Sequence, residues 1–137
     1  MATQSQALTR DALAALAASY FKAVDAKDLD AVLAHFAEDA TLTVQTDHVT
    51  FTGATAIRRM FSDFLGGSES IFHEIKNIVV EEATAKVATE QSYIGELADG
   101  TRNDMHNCNF FDVGSDGRFT RVIIWMAGTN PLKEDCG

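Results

Sequence analysis

The sequence predicts one α+β domain, a cone-shaped barrel in which three amphipathic helices pack on a curved, mainly antiparallel mixed sheet. Apolar residues recur at helical spacing only before residue 66, whereas residues 71–127 alternate as strands separated by turns. Because the only available cover for the apolar face of the sheet is the helices, the two must pack as layers. We expect residues 1–130 of the 137 to form this domain and residues 131–137 to be a mobile tail.

Three helices are predicted from apolar spacing and from residues that start or stop a helix. The first covers residues 10–26, and Asp28 begins a short second helix that includes Phe36. The third runs from Thr55 to the glycine pair at Gly66, since glycine is a common helix stop. The side chains predicted to face inward are Leu13, Leu16, Ala17, Tyr20, Val24, Leu29, Val32, Leu33, Phe36, Ile57, Met60, Phe61, Phe64 and Leu65.

Two short strands precede the third helix, and four longer strands follow it. Asp99 followed by Gly100 is a strong hairpin signal, and the stretch from Ser115 to Gly117 marks the next turn. The predicted strands cover residues 41–44, 49–52, 71–81, 86–97, 101–113 and 118–127.

Side-chain alternation in two of the long strands determines what faces the interior. The residues predicted on one face of strand 71–81 are Ile71, His73, Ile75, Asn77 and Val79. Strand 101–113 is unusually polar for a core strand, and its parity alone leaves two alternatives open. Its inward face carries either Asp104, His106 and Cys108, or Met105, Asn107 and Asn109.

Charge and composition exclude several classes of partner. The net charge is −9, and the only adjacent basic pair is Arg58-Arg59, so neither a nucleic acid nor an anionic membrane is expected to bind. The chain has no apolar run of about 18 residues and no signal-peptide pattern, which predicts a cytoplasmic protein. Two cysteines, Cys108 and Cys136, give neither a disulfide framework nor a metal-binding spacing.

Several stretches carry a family resemblance over about residues 9–127. They are YFKAVD and KDLD in residues 20–30, FAEDAT in residues 36–41, FTG in residues 51–53 and DGRF in residues 116–119. Together they resemble the SnoaL-like and ketosteroid isomerase-like proteins of the nuclear transport factor 2-like, or cystatin-like, superfamily. The resemblance implies the cone-shaped fold with an enclosed pocket, and a homodimer formed through the outer sheet face.

Within this superfamily, the site layout is similar to that of scytalone dehydratase and bile acid 7α-dehydratase. In those enzymes an aspartate on the first helix orients a histidine on the first long strand after the third helix, and here these positions read Asp25 and His73. Tyr20 resembles the tyrosine with which some of them polarise the substrate. Ketosteroid isomerases carry their general-base aspartate where this chain has Val44, so the resemblance favours the dehydratases.

This resemblance implies a lyase that eliminates water from a cyclic, mostly apolar substrate without a metal or organic cofactor. A histidine suits the base, because its unperturbed pKa is about 6.5 and a carboxylate on its second nitrogen stabilises the imidazolium. Such a base contributes about 10²–10⁴ in rate. The residues predicted to line the pocket, besides His73, Asp25 and Tyr20, are Asp104, His106, Asn107, Phe61 and Trp125.

Other interpretations remain open at this point. His73 and Tyr20 also fit as core residues, Asp25 as a surface acid or cap, and Trp125 as part of a dimer interface. The same base would serve a ketosteroid isomerase-like isomerase or a polyketide cyclase. A third alternative is a dimeric module that binds a small ligand without chemistry, because this superfamily hosts both enzymes and binders.

Overall fold

The computed structural model describes residues 8–127, and its fold class is the predicted one. Three helices pack on a six-stranded mixed sheet. The predicted tail, residues 131–137, lies outside the described residues. The elements are α1 (Arg10–Asp25), α2 (Leu29–Leu33), β1 (Phe36–Val44), a 3-10 helix (Gln45–Asp47), β2 (Val49–Thr52), α3 (Ala54–Gly67), β3 (Ser68–Glu81), β4 (Lys86–Leu97), β5 (Arg102–Val113) and β6 (Phe119–Trp125).

The sheet is open, in the order β2-β1-β6-β5-β4-β3. Neighbouring strands are antiparallel except β1 and β6, which are parallel. The predicted cone is therefore an open sheet and not a closed barrel, because β2 and β3 form opposite edges and do not pair. The helices lie on the concave side, which we call the inner face, and the opposite side is the outer face. Most of the core is packed between the helices and the inner face.

The helices begin where the sequence places residues that satisfy free backbone groups. The hydroxyl of Thr9 accepts from the N–H of Ala12 at 3.1 Å, and the carboxylate of Asp28 accepts from Ala31 at 3.1 Å. Gly53, at the start of α3, has a φ of +89°, which glycine adopts without strain. No helix within residues 8–127 has the length and apolarity needed to cross a membrane.

Phe36 corrects the predicted second helix. That helix ends at Leu33, and Phe36 opens β1 by pairing with Phe119 of β6. The N–H of Phe119 also donates to the carbonyl of His35 at 2.7 Å, so pairing with β6 overrides the local helical pattern. Phe36 is buried as predicted, but on a strand.

The residues predicted to share one face of β3 do so only in the first half of the strand. A register shift between Ile75 and Asn77 places one additional residue opposite β4, and such a bulge exchanges the faces beyond it. Val79 is therefore 65% exposed on the outer face, and Asn77 donates there to Glu90 at 2.5 Å. His73 precedes the bulge and keeps its predicted inward direction.

Candidate active site

Asp25 and His73 are in contact, at the point where the end of α1 meets β3. Oδ1 of Asp25 lies 2.6 Å from Nδ1 of His73, and Oδ2 accepts from the backbone N–H of His73 at 2.9 Å. One carboxylate therefore holds both the ring and the backbone of the same residue. Because the carboxylate accepts from Nδ1–H, Nε2 is the unprotonated nitrogen of the neutral ring.

Aromatic side chains fix the plane of the imidazole. The ring of Phe21 lies 4.7 Å from it, centroid to centroid, and the ring of Tyr93 lies 5.3 Å away at 66°. The side chain of His73 is only 10% exposed, and that of Asp25 is 22% exposed. The pair is thus largely shielded from solvent, which strengthens the interaction between its members.

The imidazole lines a cavity between the helices and the inner face. Its free volume is about 30 Å³, which is room for about two water molecules. Of the residues predicted for the site, the structure brings His73, Tyr20, Phe61 and Asn107 to this cavity. Asp25 reaches it only through its bond to His73.

Asp104 and His106 were predicted to line the pocket, and the structure places both on the outer face. The inward residues of β5 are those of the other parity, namely Met105, Asn107, Asn109, Phe111 and Val113. The cause is the burial of apolar surface, because the alternate residues that include Asn107 and Asn109 also include Phe111 and Val113, which are buried at the end of the strand.

Trp125 is also outside the pocket. It lies 41% exposed on the outer face, where its ring packs edge-on against Phe110 at a centroid distance of 5.3 Å. β6 presents Val122 and Ile124 inward, so alternation directs Trp125 outward.

Two tyrosines stand near the His–Asp pair as neutral phenols. Burial raises the pKa of Tyr20 well above its ordinary value, and the negative charge of Asp25 raises it further. The same two causes raise the pKa of Tyr93 to about 12. At neutral pH both hydroxyls therefore keep their proton and can donate a hydrogen bond.

The hydroxyl of Tyr93 is the single sealed side-chain oxygen or nitrogen in residues 8–127 that lacks a hydrogen-bond partner. Its ring folds over Gly95, where an added Cβ would meet ring carbon Cε1 at 2.6 Å. A residue with a side chain at position 95 would push the phenol aside. The direction of Tyr93 thus depends on this glycine.

Sequence reasoning missed the β4 side of the cavity. Gln91 and Tyr93 line it, and neither was predicted as a site residue, whereas Asn109 of β5, which also lines the cavity, belongs to one of the two inward alternatives left open for that strand. A signal was present in β4, since Val87, Thr89, Gln91 and Tyr93 share one parity of the strand. Two of these are apolar or aromatic, which would have directed the whole set inward.

A second His–carboxylate pair lies on the outer face. Nε2 of His106 lies 2.6 Å from Oε2 of Glu90, and Asn77 donates to the other oxygen. The hydrogen bond from His106, followed by that from Asn77, lowers the pKa of Glu90. In the part of the chain that the structure describes, no three His, Cys, Asp or Glu side chains group in a way that could hold a metal ion.

The fold recurs in solved structures. A proposed aromatic ring hydroxylase from Novosphingobium aromaticivorans has a TM-score of 0.81 and 26% identity, with 95% of this chain and 100% of that chain covered. SalBIII, an epoxide hydrolase/cyclase-like enzyme of pyran ring formation in polyether salinomycin, has a TM-score of 0.78 and 18% identity over 88% of this chain and 94% of its own. The BvnE pinacolase from Penicillium brevicompactum has a TM-score of 0.75 and 15% identity over 85% and 86%.

No curated protein matches the sequence. Because their identities are low, the similarity to SalBIII and to the pinacolase shows only that the fold is the same. The family model of the SnoaL-like domain, in contrast, matches residues 17–122, which is most of the sequence. The chain therefore belongs to the SnoaL-like domain family.

Proposed function

We propose that this protein is a small-molecule lyase that eliminates water from a cyclic, mostly apolar substrate, with His73 as the general base. The observation that carries the proposal is the 2.6 Å contact between Asp25 and Nδ1 of an imidazole that lines the cavity. A base oriented by a carboxylate, in a shielded site, is the arrangement that proton abstraction from carbon requires. Catalysis by two enzymes of the same fold, a pinacolase and SalBIII, supports an enzymatic role.

The reaction follows from the proton positions. Nε2 of His73 takes a proton from the carbon next to a substrate carbonyl, and the electron pair of that bond forms the new double bond. The carbon–oxygen bond at the neighbouring carbon breaks, and the leaving hydroxyl takes the proton from the imidazolium and departs as water. Asp25 stabilises the imidazolium while it exists. No electrons are gained or lost, so no oxidant is needed.

Tyr20 and Tyr93 are suited to donate to oxygens that become negative during this reaction. Each is a phenol whose pKa is raised by burial, so each is protonated at neutral pH. A buried hydroxyl without a partner, such as that of Tyr93, costs about 1–3 kcal/mol. A substrate oxygen that reaches it would offset this cost, which gives the residue a reason to be retained.

A ring-sized substrate requires more room than the cavity of about 30 Å³ offers. Met105 and Met126 are part of its wall, and methionine is the side chain that adapts its shape most readily. We therefore propose that these two methionines move when substrate enters. Small apolar substrates with few oxygens fit this wall best.

An isomerase or a polyketide cyclase is the second candidate. Both would use the same base and differ only in that no hydroxyl leaves. The observation in favour of cyclisation is the fold relative SalBIII, an enzyme of pyran ring formation. The mass of the product separates the candidates, because only elimination loses water.

We also propose that the protein is a homodimer formed through the outer sheet face. Five large apolar side chains are exposed there, and a groove of about 360 Å³ lies between some of them. The same groove carries Lys86 and Arg121, both paired with Asp112, so the surface is locally balanced in a chain of net charge −9. A two-fold interface needs a self-complementary patch of this kind. The exposed apolar residues are Phe72, Val79, Ile94, Phe110 and Trp125.

The test is a panel of cyclic ketones that carry a hydroxyl on the carbon β to the carbonyl, incubated in D₂O and followed by NMR. We expect deuterium to enter at the α-carbon of at least one compound and the enone to appear. His73→Ala should abolish both signals, and His106→Ala, which removes the outer histidine, should keep them. If His73→Ala keeps full turnover, the proposal is wrong; if compounds bind and are recovered unchanged, the protein is a binding module.

A further inference from the structure

Four buried polar side chains lie together on the inner face of β4 and β5. They are Thr89, Gln91, Asn107 and Asn109, and none is more than 4% exposed. Thr89 pairs with Asn109 and Gln91 pairs with Asn107 across the two strands. A buried carboxamide costs free energy unless its oxygen and its nitrogen both find partners, so their hydrogen bonds can be counted atom by atom.

The oxygen of each asparagine is already used within the protein. Asn107 accepts through Oδ1 from the backbone N–H of Ala127 at 3.3 Å, and a backbone N–H can only donate. The hydroxyl of Thr89 donates to Gln91 at 2.7 Å, and Gln91 donates to Oδ1 of Asn109 at 2.9 Å. This chain of bonds engages the Oδ1 of Asn109 from β4, as Ala127 engages the Oδ1 of Asn107 from the end of β6.

What remains is the NH₂ group of each asparagine. Both residues line the cavity, and neither NH₂ has a partner among the described residues. Neither is sealed, because the hydroxyl of Tyr93 is the one sealed and unpartnered group in residues 8–127. Residues i and i+2 of a strand lie about 7 Å apart on one face, so neighbouring inward positions of β5 bring two unpaired donors to the cavity.

The donors and the base lie on the same inner face of the sheet, two strands apart. His73 pairs with Tyr93, and Tyr93 pairs with Met105, which is the inward neighbour of Asn107. The backbones of β3 and β5 are thus two strand spacings apart, or about 10 Å. A ring between them can present one side to His73 and an oxygen to the asparagines.

We propose that Asn107 and Asn109 form a subsite for an oxygen that accepts hydrogen bonds and has none to donate, such as that of a ketone or an enolate. The inference rests on the proposed function and names its substrate class: a cyclic ketone, held by its oxygen at the asparagines. Gln91, itself held by Thr89, occupies the Oδ1 of Asn109 and leaves its NH₂ available to a ligand. A hydrocarbon of the same shape leaves both donors unpaired, so the site discriminates against it.

The test measures binding and does not depend on turnover. Protein labelled with ¹⁵N is titrated with cyclohexanone, with methylenecyclohexane, in which CH₂ replaces the oxygen, and with cyclohexanol. We expect cyclohexanone to bind about tenfold more tightly than methylenecyclohexane and to shift the side-chain NH₂ signals of Asn107 and Asn109. Equal affinity for ketone and hydrocarbon, or tighter binding of cyclohexanol than of cyclohexanone, overturns the proposal.

Matched variants isolate the donors. Asn107→Asp and Asn109→Asp keep the oxygen that accepts from Ala127 or Gln91 and replace the NH₂ by a second oxygen. Each should lose the preference for cyclohexanone, whereas Cys108→Ser, which lies between them but faces outward, should keep it. If an aspartate variant does not fold, the corresponding serine variant, whose side chain is too short to reach the ligand, replaces it. A full preference in the folded variants contradicts the inference.

Exchange of the α-protons of cyclohexanone in D₂O, measured on the same samples, separates this inference from the proposed function. If exchange is lost in His73→Ala but the preference for cyclohexanone is unchanged in the asparagine variants, His73 is supported as the base and the subsite proposal is overturned. If the preference for cyclohexanone is lost in the asparagine variants but the wild-type protein exchanges no α-protons, the subsite is supported and the role of His73 as a base is contradicted.

Discussion

The two His–carboxylate pairs of this protein have the same length and opposite surroundings. Asp25–His73 and Glu90–His106 both join nitrogen to oxygen at 2.6 Å. The inner pair has side chains 10% and 22% exposed, for His73 and Asp25, and its imidazole packs against two aromatic rings. The outer pair has side chains 54% and 37% exposed, for His106 and Glu90.

The comparison shows that hydrogen-bond length does not identify a candidate base. In water, two unit charges 4 Å apart interact by about 1 kcal/mol, and an exposed pair is further weakened by salt. Shielding by the protein strengthens the same contact severalfold. What distinguishes His73 from His106 is therefore the cavity beside it, and each pair serves as the control for the other.

The largest expected difference between the pairs is in turnover. His73→Ala should lower kcat/KM by about 10²–10⁴, because the positioned base is lost. His106→Ala should change it by less than about twofold, since exposed pairs contribute little. Initial rates on a substrate identified from the ketone panel measure both. Equal losses in the two variants would contradict the distinction between the faces.

Removing the carboxylate charge should produce the next largest effect. In Asp25→Asn, one oxygen can still accept from the backbone N–H of His73, but the NH₂ then faces Nδ1 and favours the wrong tautomer. We expect kcat to fall on the order of tenfold or more while the protein stays folded. Glu90→Gln is the matched change on the outer face and should leave kcat unchanged. An Asn variant with normal kcat would show that Asp25 is only a structural link.

A charge introduced on the outer face should weaken dimer formation and leave turnover unchanged. Phe110 is 46% exposed next to Trp125, at the centre of the proposed interface. Phe110→Glu should weaken the dimer by about 30-fold or more, the effect of losing a buried anchor worth about 2 kcal/mol. Sedimentation equilibrium gives the dissociation constant. A wild-type protein that is monomeric throughout the concentration range would refute the interface itself.

A smaller effect is expected on stability, from the inner face. Tyr93→Phe removes the sealed hydroxyl that lacks a partner, so the free energy of unfolding should rise by about 1 kcal/mol or more. Urea denaturation monitored by the fluorescence of Trp125 measures the change. A variant less stable than wild type would mean that the hydroxyl is already satisfied in the folded protein.

The smallest effect is the response of stability to alkaline pH. The pKa of Tyr93 is raised to about 12 in the fold, whereas an unfolded tyrosine ionises near 10. The neutral form is therefore favoured by folding, so this contribution is complete below about pH 10 and is lost as pH rises toward about 12. Melting temperatures between about pH 8 and about pH 11 should fall less steeply in Tyr93→Phe than in wild type. Parallel curves for the two proteins would rule this contribution out.

The fold could be predicted because helix caps, turn glycines and strand alternation are local signals. Which face of β5 points inward could not be predicted from residues 104–109 alone, because both sets of alternate residues contain polar side chains there. Phe111 and Val113 at the end of the strand decide it, and weighting them would have excluded Asp104 and His106.

Two other features depend on contacts between distant parts of the chain, so no local pattern reveals them. The bulge of β3 is defined by its pairing with β4, and Phe36 joins β1 because β6 lies beside it. The contact of Asp25 with His73 spans 48 positions and was proposed only from the family layout. Gln91 was missed for a different reason: a polar residue on a strand is usually assigned to the solvent face of that strand.

The two oxygens of Asp25 also separate what holds the fold together from what performs the chemistry. Oδ2 accepts from the backbone N–H at position 73, and any residue except proline can supply that donor. A single substitution at this position can therefore remove or replace the reactive group while one of the two bonds that join α1 to β3 here is kept. A scaffold built in this way can acquire a new activity, or become a simple carrier, in one evolutionary step.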